Sequence, residues 1–253
     1  MGGNIFMDNN RAKLYSIEKY NETKKIWEKF KDDIKYNNRF FQDNSVVKIL
    51  DRLKDKDDTN RTKDDSYMVG LLCEGMNFFR ARIGNFKEKD DSEILAPPKN
   101  VVKQGRCNSE GISYLYAAHN WETAIYEVKP SKGDIVTVAK IKLGYKHLFS
   151  FKTQQEIHKH LRSNPIKDPD IEALIDIIND ELSKVVTSSN ILDYIPFQFI
   201  TEYIKKRGYD GFIYKSTLNN GTNYVFFETD SVEVLDKSLY KIDNLKLEIE
   251  KLV

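Results

Sequence analysis

From Lys13 to Tyr36 the apolar residues Leu14, Ile17, Ile26, Trp27, Phe30 and Ile34 recur at helical spacing, with Lys, Glu and Asp between them. One apolar stripe on a charged background predicts an amphipathic helix. Val46, Val47, Ile49 and Leu50 predict a shorter helix over Ser45–Leu53. The run Asp51–Asp65 mixes charges of both signs, holds no aromatic residue and reads as a solvated linker or loop tip. A third helix is predicted over Tyr67–Glu74, stopped by Gly75.

The pattern changes at Asn77. Phe78–Ile83 reads as a strand, Asp91–Asn100 as a loop stiffened by Pro97 and Pro98, and Ser113–Ala117 as a short strand. Asn120–Val128 reads as a helix with Asn120 as N-cap, ended by Pro130 and Gly133. Asp134–Leu143 alternates as a half-buried strand does. Helices follow over Ile171–Val185 and Tyr194–Arg207. Strands follow over Gly211–Tyr214, Asn223–Phe227 and Ser231–Leu235, with a turn at Asn219–Gly221. Tyr240–Val253 reads as a charged helical tail. Helices first and a β-rich region after them predict an α+β fold. The predicted division is a helical N-terminal domain over 1–75, a second domain over 76–240 and a tail over 241–253.

The chain has 253 residues, enough to bury a core without disulfides or metals. Lys and Arg number 40 against 39 Asp and Glu. That balance argues against a protein whose main task is gripping nucleic-acid backbones. Lys24, Lys25, Lys29, Lys31 and Lys35 on the first helix are interleaved with Glu18, Glu22, Glu28, Asp32 and Asp33, so no direct nucleic-acid binding is expected. No apolar run approaches the ~18 residues of a membrane span, and Met1–Asn10 has no secretory pattern, so a cytoplasmic protein is expected. Cys73 and Cys107 with four histidines give no metal-ligand spacing. No metal is expected.

Several standard chemistries are absent. The chain has no Gly-x-Ser-x-Gly, no Gly-x-x-x-x-Gly-Lys-[Ser/Thr] and no Gly-x-Gly-x-x-Gly. Arg80 and Arg82 alternate along one strand and share a face; surface charge is the commoner reading of such a pair, a phosphate-bearing ligand the rarer one. Taken singly, Glu127 at a helix end, Tyr116 on a strand and Ser216 after a strand are ordinary structural residues.

Their order is more informative. Gly105-Arg-Cys-Asn-Ser-Glu-Gly111 precedes a strand ending at Tyr116, ten positions after Arg106, and Glu127 follows eleven positions later on a helix. Gly208-Tyr-Asp-Gly-Phe-Ile-Tyr-Lys-Ser216 and Gly221-Thr-Asn-Tyr-Val-Phe-Phe227 come after it. From about Asn77 to Leu235 this resembles the RES domain family, named for its Arg, Glu and Ser. The family's Gly-Gly-Arg-Trp-Asn is here Gln104-Gly-Arg-Cys-Asn, and Ala118 stands where many members have Ser.

The resemblance implies an ADP-ribosyltransferase-like fold: a split, mostly antiparallel β core with helices around a cleft. It implies a toxin of a toxin–antitoxin pair that consumes NAD as substrate, without a cofactor. The bond cleaved is that between nicotinamide and ribose, by water or by inorganic phosphate. The implied protein partner is a helix-turn-helix antitoxin that plugs the cleft. Glu127, Arg106 and Tyr116 are the implied catalytic residues, and Arg80, Arg82, Ser216 and Asn223 the implied substrate-binding ones. In that scheme Arg106 supplies a fork of donors to phosphate, Glu127 stabilises positive charge on the ribose, and Tyr116 offers a face to cationic nicotinamide. Two alternatives stay open: transfer of ADP-ribose to a protein or nucleic-acid acceptor, and a catalytically inactive interaction module. The N-terminal third resembles the HEPN-like segment of some family members. It lacks the Arg…His motif of HEPN ribonucleases, since no histidine precedes His119. It reads as a docking or regulatory domain, or as a cap on the second domain's core.

Overall fold

The computed structural model describes residues 5–8, 11–53, 71–72, 75–151, 168–184, 191–216, 218, 221–229 and 231–244. The chain opens on a hairpin, β1 (Ile5–Asp8) with β2 (Arg11–Ser16), and α1 (Ile17–Tyr36) follows directly. The helix expected from Lys13 therefore starts four residues later. Ser16 is the reason: its side chain accepts the Lys19 N–H, which makes it the cap, and a cap lies outside the helix. Asn44 caps α2 (Ser45–Leu50) in the same way, through the Val46 and Val47 N–H groups.

Eight strands form the main sheet. They are β3 (Leu71–Leu72), β4 (Asn77–Ile83), β5 (Leu115–Ala118), β6 (Ile135–Leu143), β7 (His147–Ser150), β8 (Gly211–Lys215), β9 (Thr222–Phe226) and β10 (Val232–Lys241), in the order β10-β6-β4-β5-β9-β8-β7-β3. All neighbours are antiparallel except β7 and β8. The expected α+β fold with a mostly antiparallel core is the one found. Within the third expected helix, Leu71 and Leu72 instead pair with β7 as a strand, and the rest of that segment lies outside the described residues. The last strand is twice the expected length, because β10 follows β6 as far as Lys241. It thus occupies the start of the predicted tail helix; residues 245–253 lie outside the described ones.

The two faces of the sheet are dressed differently. α4 (Pro169–Ser183) and α5 (Ile195–Lys206) pack against β8, and α1 packs outside both. As the middle layer α4 is buried on nearly every side, from Ile171 through Asn179 and again at Leu182 and Ser183. Trp27 and Phe30 of α1 meet Phe197 and Phe199 of α5 at ring distances of 6.1 and 5.4 Å. Lysines of α1 reach α4 and the segment after it: Lys19–Asp170 at 2.9 Å, Lys24–Glu181 at 2.9 Å, Lys31–Glu181 at 3.0 Å and Lys35–Asp193 at 2.7 Å. These lysines are committed to carboxylates of their own chain. Trp27, Phe30, Ile34, Val46 and Leu50 share one buried cluster with Phe78, Ile141 and Tyr224, so the packing runs across the boundary expected near residue 75. Among the described residues the opposite face carries the short α3 (Trp121–Glu127) alone, whose Ala124 packs on Ala81, Ala118, Val136 and Val138. Among the described residues no helix is long and apolar enough to cross a membrane.

Candidate active site

The sheet has a seam. β4 and β5 are neighbours, yet they pair at one position only, Phe79 with Ala118. Elsewhere along that line the strands part, and the gap opens on the α3 side. Ala118 also pairs with Asn223, and Asn223 with Tyr214, so Phe79, Ala118, Asn223 and Tyr214 form one cross-strand row. Directly opposed residues share a face, and all four line a cavity of about 190 Å³. Small residues help to make the space: Ala81, Ala117, Ala118 and Ala124 all line it.

α3 brings the carboxylate. Asn120 caps the helix by accepting the Thr123 N–H at 2.8 Å, and two turns later the last helical residue is Glu127. Its Oε1 accepts two hydrogen bonds, from Ser216 Oγ at 2.6 Å and from Asn223 Nδ2 at 2.7 Å. Glu127 lines the cavity. Ser216 stands behind it. The residue is buried, and its hydroxyl proton goes to Glu127 rather than to a substrate position. Asn223 is buried too, at 3% exposure. Since Nδ2 faces Glu127, the amide oxygen must face elsewhere, and Oδ1 has no hydrogen-bond partner. A buried acceptor left unmet costs about 1–3 kcal/mol.

Tyr116 lines the cavity with its ring and turns its phenol away. The O–H donates to Asn108 Oδ1 at 2.8 Å and accepts the Cys107 N–H at 3.3 Å. Burial, then the nearby Cys107 thiol, pushes this phenol well above its ordinary pKa. Burial does the same to Tyr214, seconded by Cys107 and Glu127. Tyr214 was not singled out from the sequence. Its only signal is the cross-strand register that sets it beside Asn223, and register is not written in a single strand.

The arginines divide. Arg80 lines the cavity and is the only cation to do so among the described residues. Its Nε donates to Ile94 O at 2.6 Å and its Nη1 to Tyr116 O at 2.7 Å. Burial, with a smaller contribution from Arg82, lowers its pKa to about 10, so it stays protonated at neutral pH. Arg82 does not reach the cavity. It donates to Glu93 O at 2.5 Å and Leu95 O at 2.9 Å and braces the same loop. Arg106 does not reach it either, contrary to the expectation that it shares a pocket with Glu127. Its guanidinium donates to Leu182 O and, at 2.8 Å, to Lys184 O. The physical reason is the end of α4, whose last carbonyls lack helical partners and attract a cation. The cavity thus gathers Glu127, Tyr116, Arg80 and Asn223 of the seven expected residues. No cluster that could hold a metal ion occurs among the described residues.

Comparison with known proteins gives a family and a solved structure. The family described as RES domain matches residues 80–244. The crystal structure of the M. tuberculosis MbcT–MbcA toxin–antitoxin complex is similar over 78% of this chain and 91% of that chain, with a TM-score of 0.46 and 11% sequence identity. No curated protein sequence matches the chain.

Proposed function

The chain belongs to the RES domain family, and on that premise we propose that it degrades NAD by cleaving the bond between nicotinamide and ribose. One observation carries the reading beyond the family. A carboxylate on the cavity wall is locked through Asn223 Nδ2 to an asparagine that lines the same cavity and whose buried amide oxygen has no partner. A buried orphan acceptor beside a carboxylate calls for a ligand that brings a donor and develops positive charge. The ribosyl-nicotinamide end of NAD does both: its hydroxyl and carboxamide groups donate, and its C1′ becomes cationic as the bond to nitrogen breaks.

Each residue then has a task. The aromatic walls, Tyr116 and Tyr214, take the flat cationic ring. Asn223 Oδ1 accepts from the carboxamide or a ribose hydroxyl. The C1′–N1 bond breaks with its electron pair leaving on nicotinamide, and the oxocarbenium-like charge left on the ribose is stabilised by Glu127. Ser216 and Asn223 hold Oε1, which leaves Oε2 to meet that charge. A water or phosphate oxygen bonds to C1′, and a water's surplus proton passes to the carboxylate or to solvent. Ser216 is thereby a positioning residue. Arg80, half-buried in the cavity wall, supplies the positive charge for the phosphate-bearing part, a task the resemblance gave to Arg106. As in RES toxin–antitoxin pairs, a helix-turn-helix antitoxin that closes the cavity mouth is the proposed protein partner, and the cytoplasm the proposed site of action.

The test is direct. Purified protein is incubated with NAD, with and without inorganic phosphate, and the products are identified. Free nicotinamide with ADP-ribose indicates hydrolysis; ADP-ribose 1″-phosphate in its place indicates phosphorolysis. Unconsumed NAD under both conditions refutes the proposal. Label from the adenylate half of NAD appearing on protein or nucleic acid would replace it with ADP-ribosyl transfer.

A further inference from the structure

The turn that holds the Tyr116 phenol is itself held from α5 by one side chain. Gln198 Nε2 donates to Gly105 O at 3.0 Å and to Asn108 O at 3.1 Å. Its Oε1 accepts from Ser109 Oγ at 3.3 Å, and the two carbonyls, which can only accept, fix the other end of the amide as nitrogen. Both amide hydrogens are then used on two carbonyls of one turn. That turn is already closed by Gly105 N–H to Asn108 O at 2.9 Å. Asn108 is buried, its Nδ2 tied to Lys103 O and Ser109 O, and its Oδ1 accepts the Tyr116 O–H. The fit is tight: a Cβ on Gly105 would lie 2.5 Å from Asn108 Oδ1 and 3.3 Å from the Tyr116 oxygen. One turn further along α5, Glu202 accepts the Tyr114 O–H at 2.6 Å and steadies the approach to β5.

We propose that Gln198 is a positioning residue: it fixes the Gly105–Asn108 turn, and through that turn the Tyr116 ring against which the substrate lies. The inference rests on the NAD reading of the same cavity. It makes a distinctive claim, because the two walls have separate supports. Glu127 is held from β8 and β9 by Ser216 and Asn223, with no bond to the turn or to α5. Loosening Gln198 therefore disturbs the binding wall and leaves the charge-stabilising one in place. Substrate affinity falls and the chemical step does not.

Two variants test this in the full chain. Gln198→Leu removes all three hydrogen bonds. Gln198→Glu keeps the shape but sets an oxygen against the two carbonyls. In each, KM for NAD is expected to rise about tenfold, with kcat within about threefold of wild type. Amide hydrogen exchange at Gly105 and Cys107 is expected to quicken in parallel. A merely structural role would lower the active fraction, and so apparent kcat, without moving KM. Thermal melts identify any variant that fails to fold, and Ser109→Ala, which removes one bond only, then serves in its place with a smaller rise in KM. Unchanged exchange at Cys107 in folded variants overturns the clamp. Faster exchange with unchanged KM overturns the positioning role. If wild type consumes no NAD, the functional reading fails and the kinetic claim fails with it, while exchange at Cys107 still decides the clamp.

Discussion

Replacing Glu127 by Gln isolates its charge. Oε1 accepts from Ser216 Oγ and Asn223 Nδ2, and an amide oxygen at the same place can accept both. The variant therefore keeps its anchorage and changes only the outward atom, from a carboxylate oxygen to an NH₂. Loss of one preorganised electrostatic partner costs roughly 10²–10³ in kcat, about 2.7–4 kcal/mol. The residue lines the cavity and is still exposed to solvent, so water screens it until substrate covers it. The lower end is expected: a fall in kcat of about a hundredfold. KM should stay within about twofold, because the groups that receive the ground state are untouched. Initial rates of nicotinamide release across a range of NAD concentrations measure both. Since both accepted bonds survive, Tm should move by no more than about 2 °C. A folded variant with kcat within threefold of wild type would refute the electrostatic role. A joint collapse of kcat and Tm would show instead that the charge holds the fold.

Three further outcomes follow from the same geometry. Ser216→Ala leaves Oε1 with one donor of two, and kcat for nicotinamide release should fall about tenfold at unchanged KM, as befits one lost bond to a charged group; an unchanged kcat removes Ser216 from the site. Arg106→Lys gives up a fork that reaches both Leu182 O and Lys184 O, so Tm should drop by a few degrees, and an unmoved melt would refute the cap on α4. Burial alone would raise the Glu181 carboxyl, but hydrogen bonds from Lys184, Lys24 and Lys31 outweigh it and hold the group well below the usual carboxylate range. A depressed carboxyl contributes stability above its unfolded pKa and loses it as pH falls through the folded value. The Tm difference between wild type and Glu181→Gln should therefore be full above about pH 5 and shrink steadily below about pH 4; a difference independent of pH contradicts the ion-pair account.

Strands and helices of ordinary length were legible in the sequence because burial stamps a period on them. α3, α5 and β6 lie where their patterns put them, within a residue or two. β7 was missed, since four residues, His147–Ser150, are too few to show alternation, and all four are buried. β2 was read as helix because Leu14 happens to continue the α1 stripe, and only the cap at Ser16 separates them. The site was half legible. Glu127, Tyr116, Arg80 and Asn223 converge as the motif order implied. Arg106 does not, because the end of α4 reaches it first, and where a helix ends relative to a distant loop is a tertiary fact. Gln198 carried no signal: on the flank of an amphipathic helix, a glutamine that clamps a turn looks like one that faces water.

The seam between β4 and β5 bears on how such a protein can change. A gap within a sheet leaves peptide groups without ladder partners, and here the Arg80 guanidinium stands in for a missing strand by taking the Tyr116 carbonyl. On the opposite face Phe78 closes the seam against Tyr224 and Phe226, at ring distances of 4.8 and 5.1 Å. The opening is thus floored with aromatics and walled with alanines, and its volume is set largely by methyl groups. Growth of Ala81, Ala118 or Ala124 by a carbon or two would refit the cleft to a slimmer ligand, or shut it, without touching a core side chain on the far face. A lineage that needed to silence this cavity while keeping the fold, and with it any docking role, could do so through one such enlargement.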